Sequence, residues 1–325
     1  MKHFTNILYV LDPHAEQPCG LERAAVLARG NQARLKVVSV IEALPAGKTL
    51  DGLGITTDDL QAATRAECER RMDALVEPLR DTVAIETKVL AGKLFLEVVR
   101  EVLREDHDLV MKCAGDQAPV AALFGSDDLH LLRKCPCPLW LGRNDDALNY
   151  RRVLAAIDVQ PLASANDQAQ QRALNATILD LAAALATSEF AELHVAHVWT
   201  ALGEPILRGG MIATPAETKI DAYIEAERRR HGQALERALA DLEGRVGPEA
   251  MQWLQPVRHL TKGSPREELP ALARRIDADI LVLGTLGRTG VAGLLIGNTA
   301  EAVLHRIDCA VLAIKPDGFV SPIRP

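Results

Sequence analysis

The chain contains two copies of one sequence pattern, and this duplication limits its possible folds more than any other feature. Four pairs of matching segments occur in the same order along the chain, so we infer a tandem repeat with a boundary near residues 145–149. The four pairs are NILYVLD (6–12) with RVLAAID (152–158), ARLKVVSVIEALP (33–45) with AELHVAHVWTALG (191–203), VLAGK (89–93) with HLTKGS (259–264), and GSDDLHLLRKCPCPLWL (125–141) with GNTAEAVLHRIDCAVLAI (297–314).

Each half alternates short runs rich in Val, Ile and Leu with long amphipathic stretches. The apolar runs indicate strands that are buried on both faces, and strands that alternate with helices favour a parallel sheet with right-handed crossovers. We therefore predict two tandem flavodoxin-like (Rossmann-like) α/β sandwiches, each with a five-stranded parallel sheet, over residues 1–146 and 147–325. The predicted strands are 7–11, 35–41, 108–111 and 137–141, then 153–157, 193–199, 279–283 and 309–314.

One long helix is predicted in the second half. Thr214 as N-cap, Pro215 at the first helical position and Glu217 two residues later form a helix-start pattern, and Gly244 is the predicted stop. The run ERRRHG at 227–232 within this helix is interpreted as a solvated face.

Composition excludes several classes of function. Only 3% of residues are aromatic and the net charge is −7, so neither base stacking nor a basic surface predicts nucleic-acid binding. No apolar run is long enough to cross a membrane, and the N-terminal segment lacks the features of a signal peptide. Six cysteines in 325 residues do not indicate a disulfide framework, so we predict a cytoplasmic protein.

The stretch GTLGRTGVAGLLIGNT at 284–299 is the strongest candidate site. Gly284 and Gly287 follow a predicted strand, where backbone amides can approach an anion without interference from Cβ. Asn298 is a predicted N-cap, the helix that follows offers unpaired N–H groups, and Arg288 adds a positive charge. Two interpretations stay open on spacing alone: a phosphate site, or a turn followed by a capped helix.

This arrangement resembles the nucleotide motif of the universal stress protein family. The resemblance rests on Gly284-x2-Gly287-x9-Gly297, on the first strand ending in Asp158, on His197-Val198 and on GSP at 263–265, and it covers nearly the whole chain. It implies ATP binding, with Mg²⁺ as the accompanying ion, and a role in stress resistance. It also implies that the two halves pair through their last strands as a pseudo-dimer, with a homodimer left open. The implied nucleotide residues are Asp158, Val198, Gly284, Gly287, Arg288, Gly297, Asn298 and Thr299.

The first half departs from this motif. Its counterpart reads Lys112-x2-Gly115-x9-Gly125, so a lysine replaces the first glycine, and Asp127 and Asp128 replace Thr299 and Ala300. Carboxylates at a helix N-terminus suit the helix dipole but repel a phosphate. We therefore predict that the first half is a degenerate domain without a nucleotide.

Other residues suggest chemistry less strongly. Cys135 and Cys137 are interpreted as small core residues rather than metal ligands, with His130 as the nearest third ligand. One of His194 and His197 is interpreted as an interior or crevice histidine, with a ligand contact as the alternative. No catalytic or metal constellation is visible, so a binding or sensing module is favoured over an efficient enzyme. Slow ATP hydrolysis remains an option if Asp158 helps to place a metal.

A second functional hypothesis comes from the loop 203–215, which combines glycines with Leu207, Met211 and Ile212. Apolar residues in such a loop either pack locally or cover a pocket. The alternative function is therefore a sensor or carrier of a hydrophobic, lipid-like small molecule held under this loop, with ATP irrelevant.

Overall fold

The computed structural model describes residues 4–12, 19–50, 53–113, 125–143, 149–160, 164–209, 216–285 and 297–325. Each repeat alternates strands with helices, as predicted from the sequence. In the first repeat, the elements are β1 (Asn6–Leu11), α1 (Cys19–Asn31), β2 (Arg34–Ile41), β3 (Thr49–Leu50), β4 (Ile55–Thr56), α2 (Thr57–Val76), β5 (Ile85–Ala91), α3 (Leu94–Glu105), β6 (Leu109–Cys113), α4 (Ser126–Lys134) and β7 (Leu139–Gly142). In the second, they are β8 (Arg152–Ala156), α5 (Ala165–Glu189), β9 (Glu192–Trp199), α6 (Glu204–Arg208), α7 (Glu217–Val246), α8 (Pro248–Leu254), β10 (Val257–Lys262), α9 (Pro265–Arg275), β11 (Ile280–Gly284), α10 (Asn298–Leu304) and β12 (Ala310–Ile314).

The residues group into two compact units that do not coincide with the two repeats. One unit is Tyr150–Gly284, and the other combines Lys2–Asn149 with Thr285–Pro325. The first holds four parallel strands in the order β10-β9-β8-β11. The predicted fifth strand of the second repeat, β12, therefore belongs to the unit that contains the first repeat. The domain division at 146/147 stays a prediction about the repeats.

The other unit contains a sheet in the order β5-β2-β1-β6-β7-β12. Its first five strands are parallel, and every residue of β1 is buried, as expected for a central strand covered on both faces. β12 pairs with β7 in the antiparallel sense, with Leu312 opposite Trp140. The last strands of the two repeats thus pair within one chain, as the resemblance implied, and each covers an edge of the other.

Two equivalent loops, between β5 and α3 and between β10 and α9, confirm the alignment of the repeats. Gly92 and Gly263 have φ angles of +151° and +148°, a region that L-residues rarely adopt. A Cβ on either glycine would lie 2.8 Å from the Cγ atom of a glutamate, Glu97 or Glu268. Both repeats therefore need glycine here for the same reason.

Gly263→Ala is expected to lower the free energy of unfolding by about 1–3 kcal/mol, because alanine is strained at this φ angle. Gly244→Ala is the matched control, since a Cβ at Gly244 meets nothing within 4 Å. That control should stabilise the protein by about 0.5–1 kcal/mol, because Gly244 lies inside α7. Urea unfolding measures both, and equal effects of the two variants would contradict the prediction.

The long helix differs from its prediction at both ends. α7 passes through Gly244 and ends at Val246, followed by Gly247 at a φ angle of +89°. Ala216 is the N-cap, and the predicted Thr214 and Pro215 lie outside the described residues. Within the described ranges, none of the helices combines the length and the apolarity that a bilayer crossing requires.

Candidate functional site

Asp158 follows the central strand of the unit Tyr150–Gly284, and backbone hydrogen bonds fix its position. Its N–H donates to Asn175 Oδ1 at 3.2 Å, and Asn175 Nδ2 donates back to the Asp158 carbonyl oxygen at 2.7 Å. The Asp158 carboxylate accepts the N–H of Gln160 at 3.0 Å. The carboxylate is thus oriented by the turn that leaves β8.

Gly284 lies at the end of the neighbouring strand, as predicted. β8 and β11 are parallel partners, with Ala156 opposite Leu283, so Asp158 and Gly284 leave adjacent strands at the same edge of the sheet. This is the edge at which open α/β sheets bind ligands. A Cβ on Gly284 would lie 2.7 Å from Leu174 Cδ2 of α5, which gives this glycine a packing reason that the sequence did not suggest.

The other residues of the predicted nucleotide motif lie in another strand, in the other unit or outside the described residues. Val198 is buried in β9, opposite Thr261 of β10. Gly297, Asn298 and Thr299 belong to the other compact unit, and Gly287 and Arg288 lie outside the described residues.

The start of α10 differs from its prediction. Gly297 is the N-cap, without a side-chain cap, and its N–H donates to the Thr285 carbonyl oxygen at 2.8 Å. Asn298 is the first helical residue rather than the cap, so the helix begins one residue earlier than the pattern indicated. α10 is seven residues long.

The equivalent place in the first repeat holds a side chain of the protein itself. Asp128, at the start of α4, accepts the N–H of Gly125 at 3.0 Å and lies 2.9 Å from Lys112 Nζ. Both side chains are largely buried, with 4% of Asp128 and 12% of Lys112 exposed. The helix N-terminus of the first repeat is therefore neutralised by an internal carboxylate, which is paired with the lysine that replaces the first glycine.

A cavity of about 380 Å³ opens next to Asp158 between α5 and α7. Its wall mixes alanine and leucine side chains with four arginines, two aspartates, amides and one histidine. The lining residues are Asp158, Val159, Gln160, Gln168, Gln171, Arg172, Asn175, Ala176, Leu179, Arg230, His231, Ala234, Arg237, Ala238, Asp241 and Arg245.

A pair of buried histidines lies at one wall of this cavity. His197 Nδ1 is 3.2 Å from the Ile157 carbonyl oxygen, which only accepts, so Nδ1 carries the proton. His197 Nε2 lies 2.9 Å from His231 Nδ1, and the two rings stack. The chain Ile157–His197–His231 therefore connects the end of β8 to the cavity wall.

Sequence reasoning missed His231. The run at 227–232 was interpreted as solvated, and while Arg228, Arg229 and Arg230 are exposed, His231 is 3% exposed. The available signal was helical spacing, because His231 shares a buried face of α7 with Leu235, Leu239 and Leu242.

His194, on the same strand as His197, has a different partner. Its Nδ1 lies 2.9 Å from His259 Nε2, and the two rings stack. Burial lowers the pKa of both imidazoles below the ordinary value, which keeps this pair neutral at pH 7. Both predicted histidines are thus interior residues with histidine partners.

Comparison with known proteins agrees with the repeat and the fold. The model of the universal stress protein family matches residues 3–143 and again 149–315. The chain belongs to this family. It is similar to "Universal stress protein E" of Escherichia coli K12, with 30% identity over 99% of this chain and 98% of that protein. It is 27% identical to the "Universal stress protein E homolog" of Haemophilus influenzae, over 96% of this chain and 98% of the relative.

Solved structures of the same length share the tandem architecture. A functionally unknown protein of Pseudomonas aeruginosa PAO1 has a TM-score of 0.71 at 25% identity, and the match covers 97% of this chain and 94% of that one. A universal stress protein of Archaeoglobus fulgidus has a TM-score of 0.62 at 17% identity, covering 97% and 98%, and supports the fold alone.

Proposed function

We propose that this universal stress protein binds ATP or a related nucleotide, with Mg²⁺, in its second repeat, and acts in stress resistance as a binding or sensing module. The proposed residues are those of the sequence motif: Asp158, Val198, Gly284, Gly287, Arg288, Gly297, Asn298 and Thr299. In this proposal the protein is cytoplasmic, and any ATP hydrolysis is slow.

The contrast between the two helix starts carries the proposal. In the first repeat, the Asp128 carboxylate accepts a backbone N–H at the start of α4 and pairs with Lys112. The aligned positions in the second repeat are Ala300 and Gly284, which offer neither a carboxylate nor a side-chain ammonium. The one acidic residue in the first turn of α10, Glu301, pairs with Arg133 at 2.9 Å, so we propose that a ligand supplies the anion at the second site. Nucleotide phosphates suit the backbone amides of a helix start.

Asp158, which follows the first strand of the second repeat, also supports the proposal. Its carboxylate has a defined orientation at the edge where α/β sheets bind ligands. A carboxylate oxygen is also a hard ligand of the kind that Mg²⁺ prefers, which fits a nucleotide–Mg²⁺ complex. We propose binding rather than rapid turnover as the activity of this site.

The decisive experiment compares matched glycine variants. Millimolar Mg²⁺–ATP should stabilise the wild-type protein, by about 2.7 kcal/mol when the ligand is at one hundred times its Kd. Gly287→Val should abolish this stabilisation because backbone approach is blocked, whereas Gly115→Val, at the aligned position of the first repeat, should retain it. Calorimetric titration should give one nucleotide per chain.

Three results would overturn the proposal: no stabilisation of the wild-type protein, equal loss in both glycine variants, or two nucleotides per chain. A lower melting temperature of Gly287→Val without ATP would report a folding defect. In that case a second pair of variants tests the same site. Asp158→Asn should lose the ATP-dependent stabilisation, and Asp12→Asn, at the aligned position of the first repeat, should retain it.

The cavity between α5 and α7 favours the alternative function, a sensor or carrier of a hydrophobic small molecule. The ligand would then lie between these two helices rather than under the 203–215 loop. The volume of the cavity suits a small molecule, and its wall offers apolar surface beside arginines. The described part of the loop, residues 203–209, does not line this cavity. Its helix α6 makes other contacts: Arg208 pairs with Asp221 at 2.7 Å, and Glu204 pairs with Lys262 at 2.6 Å. Met211 and Ile212 lie outside the described residues. Native mass spectrometry of the purified protein separates a nucleotide from a lipid-like ligand by mass.

A further inference from the structure

Cys135 and Cys137 face each other where α4 ends and the chain enters β7. Their Sγ atoms are 3.5 Å apart, and the side chains are buried, with 0% and 9% of the residues exposed. Burial agrees with the sequence interpretation of core residues, but the short distance between the two sulfurs was not foreseen. Pro136 restricts the backbone between them, and Cys135 is extended, with φ −68° and ψ 128°, so the two side chains stay on one side of the chain.

A buried lysine lies at the same helix end. Lys315, which follows β12, donates a hydrogen bond to the carbonyl oxygen of Leu132 in the last turn of α4. Burial lowers the pKa of Lys315 to about 8, while the negative charge of the Cys135 thiolate opposes this shift. The Lys315 ammonium thus lies at the C-terminal turn of α4, which Cys135 caps.

The two thiols have different acidities. The hydrogen bond from Cys137 lowers the pKa of Cys135 against the effect of burial, and the Lys315 charge acts in the same direction. The same hydrogen bond and burial raise the pKa of Cys137. These pKa directions favour the thiolate on Cys135, and Cys137 lies at hydrogen-bonding distance from it.

We propose that Cys135 and Cys137 form a dithiol redox site, in which a hydroperoxide oxidises the pair to an intramolecular disulfide and Lys315 stabilises the attacking thiolate. Closing the disulfide requires the sulfurs to move from 3.5 Å to about 2.05 Å, which is a local adjustment. Because Cys135 is fully buried, its reaction with hydrogen peroxide requires local opening at the helix end.

The chemistry proceeds in two balanced steps. The Cys135 thiolate attacks one peroxide oxygen, an S–O bond forms, the O–O bond breaks, and the departing oxygen takes up a proton. Cys137 then loses its proton and its sulfur attacks the Cys135 sulfenic acid, so that the S–S bond forms and hydroxide leaves and is protonated to water. Two thiols and one hydroperoxide give one disulfide, one alcohol (water, for hydrogen peroxide) and one water, and the sulfurs supply the two electrons.

The test treats the reduced full chain with hydrogen peroxide, alkylates it under denaturing conditions and maps the peptides by mass spectrometry. We expect the peptide that contains 135–137 to lose two hydrogens, about 2 Da, before Cys68 is oxidised. Cys68 is the internal reference, because it is 9% exposed like Cys137. Oxidation of the pair at the rate of Cys68 or more slowly overturns the proposal.

Two variants test the assigned roles. Cys137→Ser should leave Cys135 as a sulfenic acid that dimedone traps, whereas Cys135→Ser should give little adduct at Cys137. Lys315→Met should slow oxidation of the pair about tenfold if its charge lowers the thiol pKa by about one unit. If Lys315→Met does not fold, the wild-type pH profile decides: the oxidation rate must rise with pH as the thiolate forms, and a flat profile contradicts the role of the thiolate.

Discussion

Replacing Lys36 with methionine is expected to lower the free energy of unfolding by about 3–5 kcal/mol, because it removes the buried cation bonded to the buried Glu101 carboxylate and leaves Glu101 with the more exposed Lys88. Lys36 Nζ lies 2.6 Å from Glu105, 2.8 Å from Glu86 and 2.9 Å from Glu101. Glu101 is 0% exposed and Lys36 is 4% exposed. Urea unfolding of the full chain measures the effect.

Lys88→Met is the matched control for this experiment. Lys88 also bonds Glu101, at 2.9 Å, but its side chain is 39% exposed. Water partly replaces an exposed partner, so the control should cost about 1 kcal/mol or less. Similar losses in the two lysine variants would show that burial of Lys36 is not the cause.

The ion pairs of Glu101 with Lys36 and Lys88 predict how stability depends on pH. Burial alone would raise the pKa of Glu101, but hydrogen bonds and charges from Lys88 and Lys36 outweigh it, so the pKa lies below the ordinary value. A carboxyl whose folded pKa is lowered binds fewer protons when folded, so its contribution is present above the unfolded pKa and is lost as pH falls through both values. We expect the difference between wild type and Lys36→Met to shrink below about pH 4.3, the ordinary value for Glu.

Lys36 also supplies the positive charge in a group of three side chains whose spacing could hold a metal ion. Carboxylate and imidazole atoms of Glu101, Glu105 and His107 lie within 4.8 Å of one another, a spacing that could hold a metal ion. The Lys36 ammonium bonds both carboxylates, and these bonds raise its pKa further above the usual range although burial opposes the shift. A permanently protonated lysine therefore supplies the positive charge that a metal would otherwise bring.

Replacing Lys112 with methionine is the second change with a large expected effect, about 3 kcal/mol of lost stability. It removes the cation that lies 2.9 Å from the buried Asp128 carboxylate. The double variant Lys112→Met with Asp128→Asn should recover most of this loss, because an amide still accepts the Gly125 N–H and carries no charge.

A double-mutant cycle in urea separates the ion pair from the helix cap. Asp128→Asn alone removes the ion-pair partner of Lys112, but Lys112 Nζ still donates to the Cys113 carbonyl oxygen at 3.0 Å and is the more exposed of the two groups. This variant should therefore lose less stability than Lys112→Met. Additive losses in the cycle would contradict the interpretation that the first repeat holds an internal anion at its helix start.

The sequence alone determined the repeat, the type of fold and the position of the candidate site. Four aligned segment pairs were sufficient for the duplication, and Gly92 and Gly263 confirm the alignment with nearly identical φ angles. The pattern also placed Asp158 and Gly284 at the carboxyl ends of two strands, and the structure adds that these strands, β8 and β11, are neighbours. These features are local patterns or consequences of chain order, so they can be read from the sequence.

The tertiary structure alone decided which side chains meet. The pattern showed that Asp128 differs from Ala300, but only the structure pairs it with Lys112. The sequence suggested that Gly284 is a glycine because an anion approaches its backbone, and the structure adds that Leu174 packs too close for a Cβ at this position. The structure also shows that His231 is buried beside His197. Periodicity tells which face of an element is buried but not which residue, distant in the chain, lies opposite. That choice depends on how side-chain volumes and charges fit together once the sheet has formed.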